Sequence, residues 1–534
     1  MGKDLYELPK GWVWVTLDSI SLKITDGEHI RPKVTNDGIF FLSAKDVRDN
    51  GVVFDNTLFI SEDDAKKFRQ RCDPEAGDIL VVSRGATVGR SCIVNTQKIF
   101  CLLGSVILIK IFEQISNKFI SYLLKSPTIQ QELISISGAT AQQAIYLRDI
   151  KKVAIPLPSR AEQHRIVTEI EELFTKLDAG VELLKKVKAK LKRYRQTVLK
   201  AAVEGNLTKE WREANQGDLE PASVLRDRIL KQRREKWEAE QLAKMQAQGK
   251  NPKDDSWKLK YKEPVAPDTS DLPKLPDGWC WATIEELLIK IQYGSSSKTN
   301  DDSRGVAVLR MGNILAGKIV IDDLKYLPHN HNEFPELLLE QGDLLFNRTN
   351  SFELVGKTAV YQGIPNPSSC ASYLIRFRLN QNVQPYFISN YINSVFGRQW
   401  IKSVVSQQVG QANVNGTKLQ ALQVPLPPQK EQLIIKEEVE RLSSVIDQLE
   451  KTIDANLKRA EKLRQTILKQ AFEGKLVPQN PSDEPAEKLL ERIKAEKAQR
   501  EADKKTKPKA NNKISKPRKT KSTATQLKLD FKEN

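Results

Sequence analysis

Hydrophobic and polar positions follow two rhythms along this chain, and the change from one to the other happens twice. Short β-branched and aromatic runs bounded by Gly, Asn and Asp, such as Ile39-Phe40-Phe41-Leu42, Ile79-Leu80-Val81-Val82 and Val106-Ile107-Leu108-Ile109, predict strands. Beyond Ile155-Pro156-Leu157-Pro158 the spacing lengthens to threes and fours. Ile166, Ile170, Leu173, Leu177, Leu184, Leu191, Tyr194 and Val198 recur with charged residues between them, which predicts a long amphipathic helix. The same stripe returns 269 residues later as Ile435, Val439, Leu442, Ile446, Ile453, Ala460, Leu463 and Ile467.

The duplication extends to the short motifs. Leu8-Pro9-Lys10-Gly11-Trp12-Val13-Trp14 recurs as Leu275-Pro276-Asp277-Gly278-Trp279-Cys280-Trp281, and Gly77-Asp78-Ile79-Leu80 as Gly342-Asp343-Leu344-Leu345. The Pro-Leu-Pro step with Glu162-Gln163 returns as Val424-Pro425-Leu426-Pro427 with Glu431-Gln432. Arg195-Gln196-Thr197-Val198-Leu199-Lys200 through Glu204-Gly205 returns as Arg464-Gln465-Thr466-Ile467-Leu468-Lys469 through Glu473-Gly474. The copies lie 267 residues apart at the first anchor and 269 at the last two, so order and distance are both kept.

Each helical tract runs for roughly 40 to 45 residues, on the order of 60 to 70 Å at the helical rise. So long a helix with one apolar stripe needs a partner helix, and the matching stripe belongs to the other repeat. The expected fold is α+β: two strand-rich domains separated by a long antiparallel two-helix coiled coil, with a pseudo-two-fold internal repeat. The expected boundaries are 1–158 for the first strand-rich domain, 159–250 for a central helical spacer with a shorter second helix, and 251–274 for a polar linker. The second strand-rich domain follows at 275–427, a C-terminal helical spacer at 428–500 and a basic, disordered tail at 501–534.

Composition narrows the function classes. With 534 residues and 39% hydrophobic content the chain suits several soluble domains, and no apolar run reaches membrane-spanning length. The N-terminus runs into the Leu-Pro-x-Gly-Trp motif without the apolar core of a signal peptide, so a cytoplasmic chain is expected. The five cysteines are odd in number and widely spaced, which points to buried thiols. The net charge of +17 favours a polyanionic partner, although nine Lys/Arg without an acid sit in residues 504–521 alone. A phosphate-binding Gly-x-x-x-x-Gly-Lys-Ser/Thr loop and an Asn/Asp-Pro-Pro-aromatic methyltransferase signature are both missing from the sequence. Pro276-Asp277 with Asp323-Leu324-Lys325 imitates a nuclease pattern, but Pro276 already belongs to the repeated entry motif. His329 and His331 have no third metal ligand nearby in sequence and read as a surface loop.

The ordered, duplicated set of motifs resembles the specificity subunits of type I restriction-modification systems over nearly the whole chain to about residue 500. The resemblance implies two target-recognition domains, each reading half of a split, asymmetric DNA site, with the helices fixing the unread spacer. It also implies two methyltransferase subunits and two restriction (translocase-nuclease) subunits as partners, with S-adenosylmethionine, ATP and Mg held by those chains and no cofactor, metal or catalytic residue in this one. The alternative is a freestanding coiled-coil DNA-binding architectural protein without catalytic partners.

Candidate DNA contacts are the basic and amide residues in Gly/Asn/Asp-flanked loops or at strand ends. In the first domain these are Arg31, Lys33, Lys45, Arg48, Arg84, Gln142 and Gln143. In the second they are Lys298, Arg304, Arg310, Asn313, Arg348, Gln411 and Asn413. Base readout, phosphate contact and a solvated surface are open to each charged member, and a turn role is open to the amides. Arg84 and Arg348, each following a Gly-Asp strand, form the expected matched pair. Lys185 to Arg195 holds seven basic residues and no acid, either a solvated face or a track along the DNA spacer. Gln526-Leu527-Lys528-Leu529-Asp530-Phe531, near the end, is similar to the short peptides that dock on the replication sliding clamp.

Overall fold

The computed structural model describes residues 6–30, 32–138, 143–250, 252, 254–408 and 411–506, without the side chains of 407, 408 and 504–506. It forms two compact units, one from residues up to 181 and from 458 onward, the other from 182 to 457. Four long helices frame these units: α1 (Arg160–Val203), α2 (Ala222–Ala247), α3 (Gln429–Phe472) and α4 (Ala486–Thr506). Both α1 and α3 are 44 residues long, and each unit takes part of both.

In the first unit a four-stranded antiparallel sheet runs in the order Ser21–Asp26, Val106–Ile111, Ile79–Val82, Ser91–Ile93. All four side chains of Ile79–Val82 are buried, as a near-continuous apolar run in a central strand requires. A second, three-stranded sheet consists of Leu58–Ile60, Ile39–Leu42 and Phe100–Leu102, its last pair parallel. The second unit repeats both sheets with Leu288–Tyr293, Leu374–Leu379, Leu344–Asn347 and Thr358–Val360, and with Lys325–Leu327, Val306–Leu309 and Ser368–Cys370. It adds a small sheet of Thr349–Asn350, Gln411–Asn413 and Ser406–Gln408. The first unit instead has a helix, Glu62–Arg71, capped by the Ser61 side chain.

The duplicated motifs meet in space and build the base of each head. The entry strand Val13–Thr16 pairs antiparallel with the exit strand Ala154–Leu157, and Cys280–Thr283 pairs with Gln423–Leu426 in the same register. The Trp12 indole donates to Glu162 Oε2 at 3.0 Å, and that of Trp279 to Glu431 Oε2 at 2.8 Å. The following glutamines clamp the exit turn, Gln163 Nε2 donating to Pro158 O at 3.1 Å and Gln432 Nε2 to Pro427 O at 2.9 Å. Gly11 and Gly278 hold φ of +87° and +81°, which frees their carbonyls to accept the first amides of α4 (Ala486, 3.1 Å) and α2 (Ala222, 2.8 Å). The Glu-Gly that ends each long helix completes the cluster: a Cβ on Gly474 would lie 2.2 Å from Pro9, and one on Gly205 2.8 Å from Pro276.

Helix pairing is seen inside each unit. In the second, Arg195 reaches Asp447 at 2.7 Å and Glu450 at 3.2 Å, while Lys188 pairs with Asp454, so α1 and α3 run antiparallel there. Val198, Ala202 and Val203 share one core with Ile435, Val439 and the α2 residues Ala222, Leu225 and Ile229. In the first, Ile166, Ile170 and Phe174 share a core with Ile467, Leu468, Phe472 and the α4 residues Ala486, Leu489 and Ile493, and the Arg464 guanidinium sits 4.2 Å over Phe174. The expected stripe is corrected at its matched pair Tyr194 and Leu463, which stay 48% and 47% exposed. A seam with one neighbouring helix covers only a narrow face, and these two side chains stand on its shoulder. No helix among the described residues is long and apolar enough to cross a membrane.

Candidate nucleic-acid interface

With the shared motifs spent on the frame, the residues left for recognition stand at the edges of the heads. The Gly-Asp motif belongs to the frame as well. Asp78 meets Lys110 at 2.8 Å, and the fully buried Asp343 meets Arg378 at 2.7 Å, in each case from the strand next door. Charge-assisted bonds of this kind lock neighbouring strands and leave no free carboxylate for chemistry.

The strand that follows each Gly-Asp step carries the expected pair Arg84 and Arg348, but they do not occupy the same position. Ser83 N donates to Ser105 O at 2.8 Å and Ser83 O accepts from Ile145 N at 2.8 Å. Arg348 does the same with Tyr373 O at 3.0 Å and Val414 N at 2.9 Å. Arg348 therefore matches Ser83, and Arg84, bridged to Ala144, matches Thr349, bridged to Asn413. A shift of one residue along a strand turns the side chain to the opposite face, so the two arginines do not hold equivalent positions in the two heads.

Their surroundings differ accordingly. Arg84 is exposed, with exposed Gln143 beside its bridge partner Ala144. The Arg348 guanidinium lies 4.7 Å over the Tyr293 ring, and the Tyr293 hydroxyl accepts from Gly416 N at 2.9 Å, so the guanidinium rests on a braced platform. Its Nε and both amide atoms of the neighbouring buried Asn347 have no hydrogen-bond partner among the described residues. Asn413 Nδ2 donates to Thr349 Oγ1 at 2.7 Å, while Gln411 is exposed two residues earlier. Both amides lie on a strand, Gln411–Asn413, rather than in a turn. Tyr293 and Tyr373, 46% and 47% exposed, join this face. Neither stood out in the sequence, where an aromatic at a strand end reads as core.

Other candidates are scattered. Lys33, Arg48 and Lys298 are exposed, Arg48 at the hairpin of Val47–Arg48 and Gly51–Val52. Lys45 Nζ donates to Asn56 O at 2.9 Å. Arg304 makes a two-pronged contact with Asp302 at 2.9 Å on both arms, which holds the Asp302 carboxyl down at about 2. Arg310 is occupied by Asp323. Asn313 is corrected outright: it is buried, its Nδ2 donates to Val320 O at 3.0 Å and Asp322 O at 2.9 Å, and its Oδ1 accepts from Arg310 N at 2.9 Å. A side chain with both ends committed inside a turn reads no base. Arg31, Gln142 and the clamp-like peptide lie outside the described residues.

The basic stretch of α1 also narrows. Lys185 pairs with Glu182, Lys186 lies in the field of the same carboxylate, and Lys188 and Arg195 face α3, leaving exposed Lys190, Lys192 and Arg193 with no carboxylate among the described residues. Cys72, Cys92, Cys101 and Cys370 are buried and Cys280 partly so, and burial pushes the Cys72, Cys92 and Cys370 thiols up to about 12. No group of three or more His, Cys, Asp or Glu is gathered as a metal site among the described residues.

The comparisons with known proteins reflect the duplication. The model of the type I restriction modification DNA specificity domain matches twice, at residues 9–193 and 276–459. The type I restriction enzyme EcoKI specificity subunit of Escherichia coli K12 is 26% identical over 92% of this chain and 97% of its own length. The StySPI specificity subunit of Salmonella potsdam is 24% identical over 92% and 96%. Among solved structures, a chain described under complex assembly and conformational transition of the type I R-M system superposes with a TM-score of 0.61 at 16% identity, over 88% of this chain and all of its own. The HsdS subunit from Thermoanaerobacter tengcongensis follows with a TM-score of 0.50 at 18% identity, over 89% of this chain and all of its own. The freestanding architectural reading finds no support in these relatives. Two matched copies spanning most of the described residues place the chain in the type I restriction modification DNA specificity family, as a specificity subunit.

Proposed function

We propose that this chain reads a bipartite, asymmetric DNA sequence and positions methyltransferase and restriction subunits on it, supplying recognition and no chemistry. One observation carries the reading: two heads share the same hydrogen-bonded base yet present unlike faces where the frame ends, Arg84 with Gln143 in one and Arg348, Gln411 and Asn413 in the other. Arginine reads guanine and the amides read adenine in the major groove, so unlike faces select unlike half-sites. Lys33, Lys45, Arg48 and Lys298 are assigned phosphate contacts that set register, as are Arg304 and Arg310 once they exchange their carboxylates for phosphate. The long helices act as an antiparallel coiled-coil spacer of pseudo-two-fold design, and Lys186, Lys190, Lys192 and Arg193 follow the backbone of the unread spacer. S-adenosylmethionine, ATP and Mg belong to the partner subunits, two of each kind, and the chain works in the cytoplasm. The clamp-like peptide gives the tail a second docking role.

Genome-wide mapping of methylated adenines in cells with and without this chain tests the proposal. A two-part motif with a fixed gap that vanishes with the chain is the expected result. A single contiguous motif, or methylation indifferent to the chain, overturns it.

A further inference from the structure

At the base of the second head, away from the face that carries Arg348, a cleft of about 570 Å³ opens between α2, the strap of residues 256–265 and the sheet. The matching place in the first head shows what the frame alone needs. There Lys497 of α4 donates to Asp18 O at 3.1 Å, as Arg233 of α2 donates to Glu285 O, so a cation on the helix holding a carbonyl at the start of the sheet is common to both. The other positions diverge. Gln114 Nε2 donates to Glu496 Oε2 at 2.7 Å in the first head. Their counterparts in the second are Asn382 and Gln232, so a neutral carboxamide replaces the acid, and its Oε1 accepts from Asn382 at 3.4 Å and from Asn380 at 3.2 Å. Where α4 has Glu501, α2 has Trp237, which packs against Tyr261 of the strap at 5.3 Å between ring centroids and stacks on Trp257 at 6.1 Å.

The charges around this cleft are unbalanced. Lys236, Lys260 and Lys262 have no carboxylate partner among the described residues, and Arg233 spends its donors on the Glu285 and Leu288 carbonyls. Among the described residues Glu240 is the one acid lining the cleft. Close by, Arg234 and Lys258 pair with Glu238, Glu263 and Asp255, so the imbalance is local to the cleft. Four like charges lining one cleft raise the potential there, and an anion relieves it. An aromatic wall and carboxamide edges beside that anion match a planar base joined to phosphate.

The geometry points to a nucleotide site in this cleft, with the phosphates on Lys236, Lys260 and Lys262 and the base against Trp237 and Tyr261 within reach of Gln381. It is independent of the DNA-reading faces. Tryptophan fluorescence and calorimetry on the full chain, titrated with ATP, GTP, AMP, inorganic triphosphate and a short single-stranded oligonucleotide, test it. A nucleoside triphosphate is expected to bind at least about fivefold more tightly than inorganic triphosphate, since base stacking on an aromatic is worth ~1 kcal/mol or more. Lys236→Glu with Lys262→Glu is expected to weaken that binding by about tenfold or more while sequence-specific DNA binding, the check on folding, persists. The oligonucleotide arm assigns the source: tighter binding than the mononucleotides, lost in the same variant, makes the ligand a strand, and weaker binding makes it a free nucleotide. No nucleotide binding, equal binding of inorganic triphosphate, or binding untouched by the double charge reversal overturns the assignment.

Discussion

The two heads are alike where their motifs repeat and unlike where those motifs stop. Trp12 and Trp279, Gln163 and Gln432, Asp78 and Asp343 make matching contacts, yet Ser83 stands where Arg348 does and Ala144 where Asn413 does. Even the shared base differs in charge. Glu431 is fully buried and accepts from Trp279, from Thr208 at 2.7 Å and from Arg212 at 2.7 Å. Glu162 accepts from Trp12 and from Gln479 at 2.6 Å, while the nearby cation Arg165 is held by Asp483. One base is therefore built on a buried ion pair, and the other on a carboxylate among neutral donors.

That difference gives the largest expected effect. Glu431→Ala strands the Arg212 charge in the interior and should cost about 3–5 kcal/mol. Glu162→Ala strands only neutral donors and should cost about 1–3 kcal/mol. Hydrogen exchange at the entry and exit strands of each head reads the two losses separately. Equal losses would show that the bases are energetically the same.

Next in size is the reading face. Arg348→Ala should lower affinity for the cognate site by about 1–3 kcal/mol and relax the preference in one half-site only, because a bidentate base contact is worth that much. Arg84→Ala should act on the other half-site. Binding assays on duplexes degenerate in one half at a time measure both, and loss of preference in both halves from one substitution would break the assignment of one head to one half.

The helix track should give a smaller and different signal. Neutralising Lys186, Lys190, Lys192 and Arg193 is expected to weaken binding alike on all sequences and to flatten the salt dependence by about 0.9 in slope for each phosphate no longer neutralised. An altered sequence preference would move these residues from spacer to reader.

The sequence made the frame legible and the face obscure, for one physical reason. Frame contacts join residues inside repeated motifs, so duplication exposes them: Leu-Pro-x-Gly-Trp, Pro-Leu-Pro with Glu-Gln and the helix-end Glu-Gly all proved to meet at one place. Face residues are where the copies differ, and nothing periodic marks them. Arg84 and Arg348 look matched by eye, but a one-residue offset reverses the side chain on a strand. Asn313 looks like a loop amide free to read adenine, yet its carboxamide closes a turn. Tyr293 matters as the platform under Arg348, a relation between distant strands that no local pattern encodes. The helical stripe was right in period and wrong at Tyr194 and Leu463, because period locates a face and not how much of it a partner covers.

The smallest expected effect separates the two bases by pH. Burial raises the Glu162 carboxyl above its ordinary range, against the opposing pull of the Trp12 and Gln479 hydrogen bonds. A carboxyl whose folded-state pKa exceeds its unfolded value binds its proton more tightly when folded. Its contribution to stability is then full below the unfolded pKa of about 4.3 and is lost as pH rises through the folded value. Glu162→Gln carries the protonated shape permanently, so the first head of that variant should lose this slope and be no less stable than the wild type at neutral pH. Glu431→Gln should instead weaken the second head at neutral pH, since Arg212 loses its counter-charge. Head-resolved hydrogen exchange from acid to neutral pH checks both. If the first head of the Glu162→Gln variant kept the wild-type slope, the titrating group would have to lie elsewhere, and a second head as stable with Glu431→Gln as without it would remove the charge difference between the two bases.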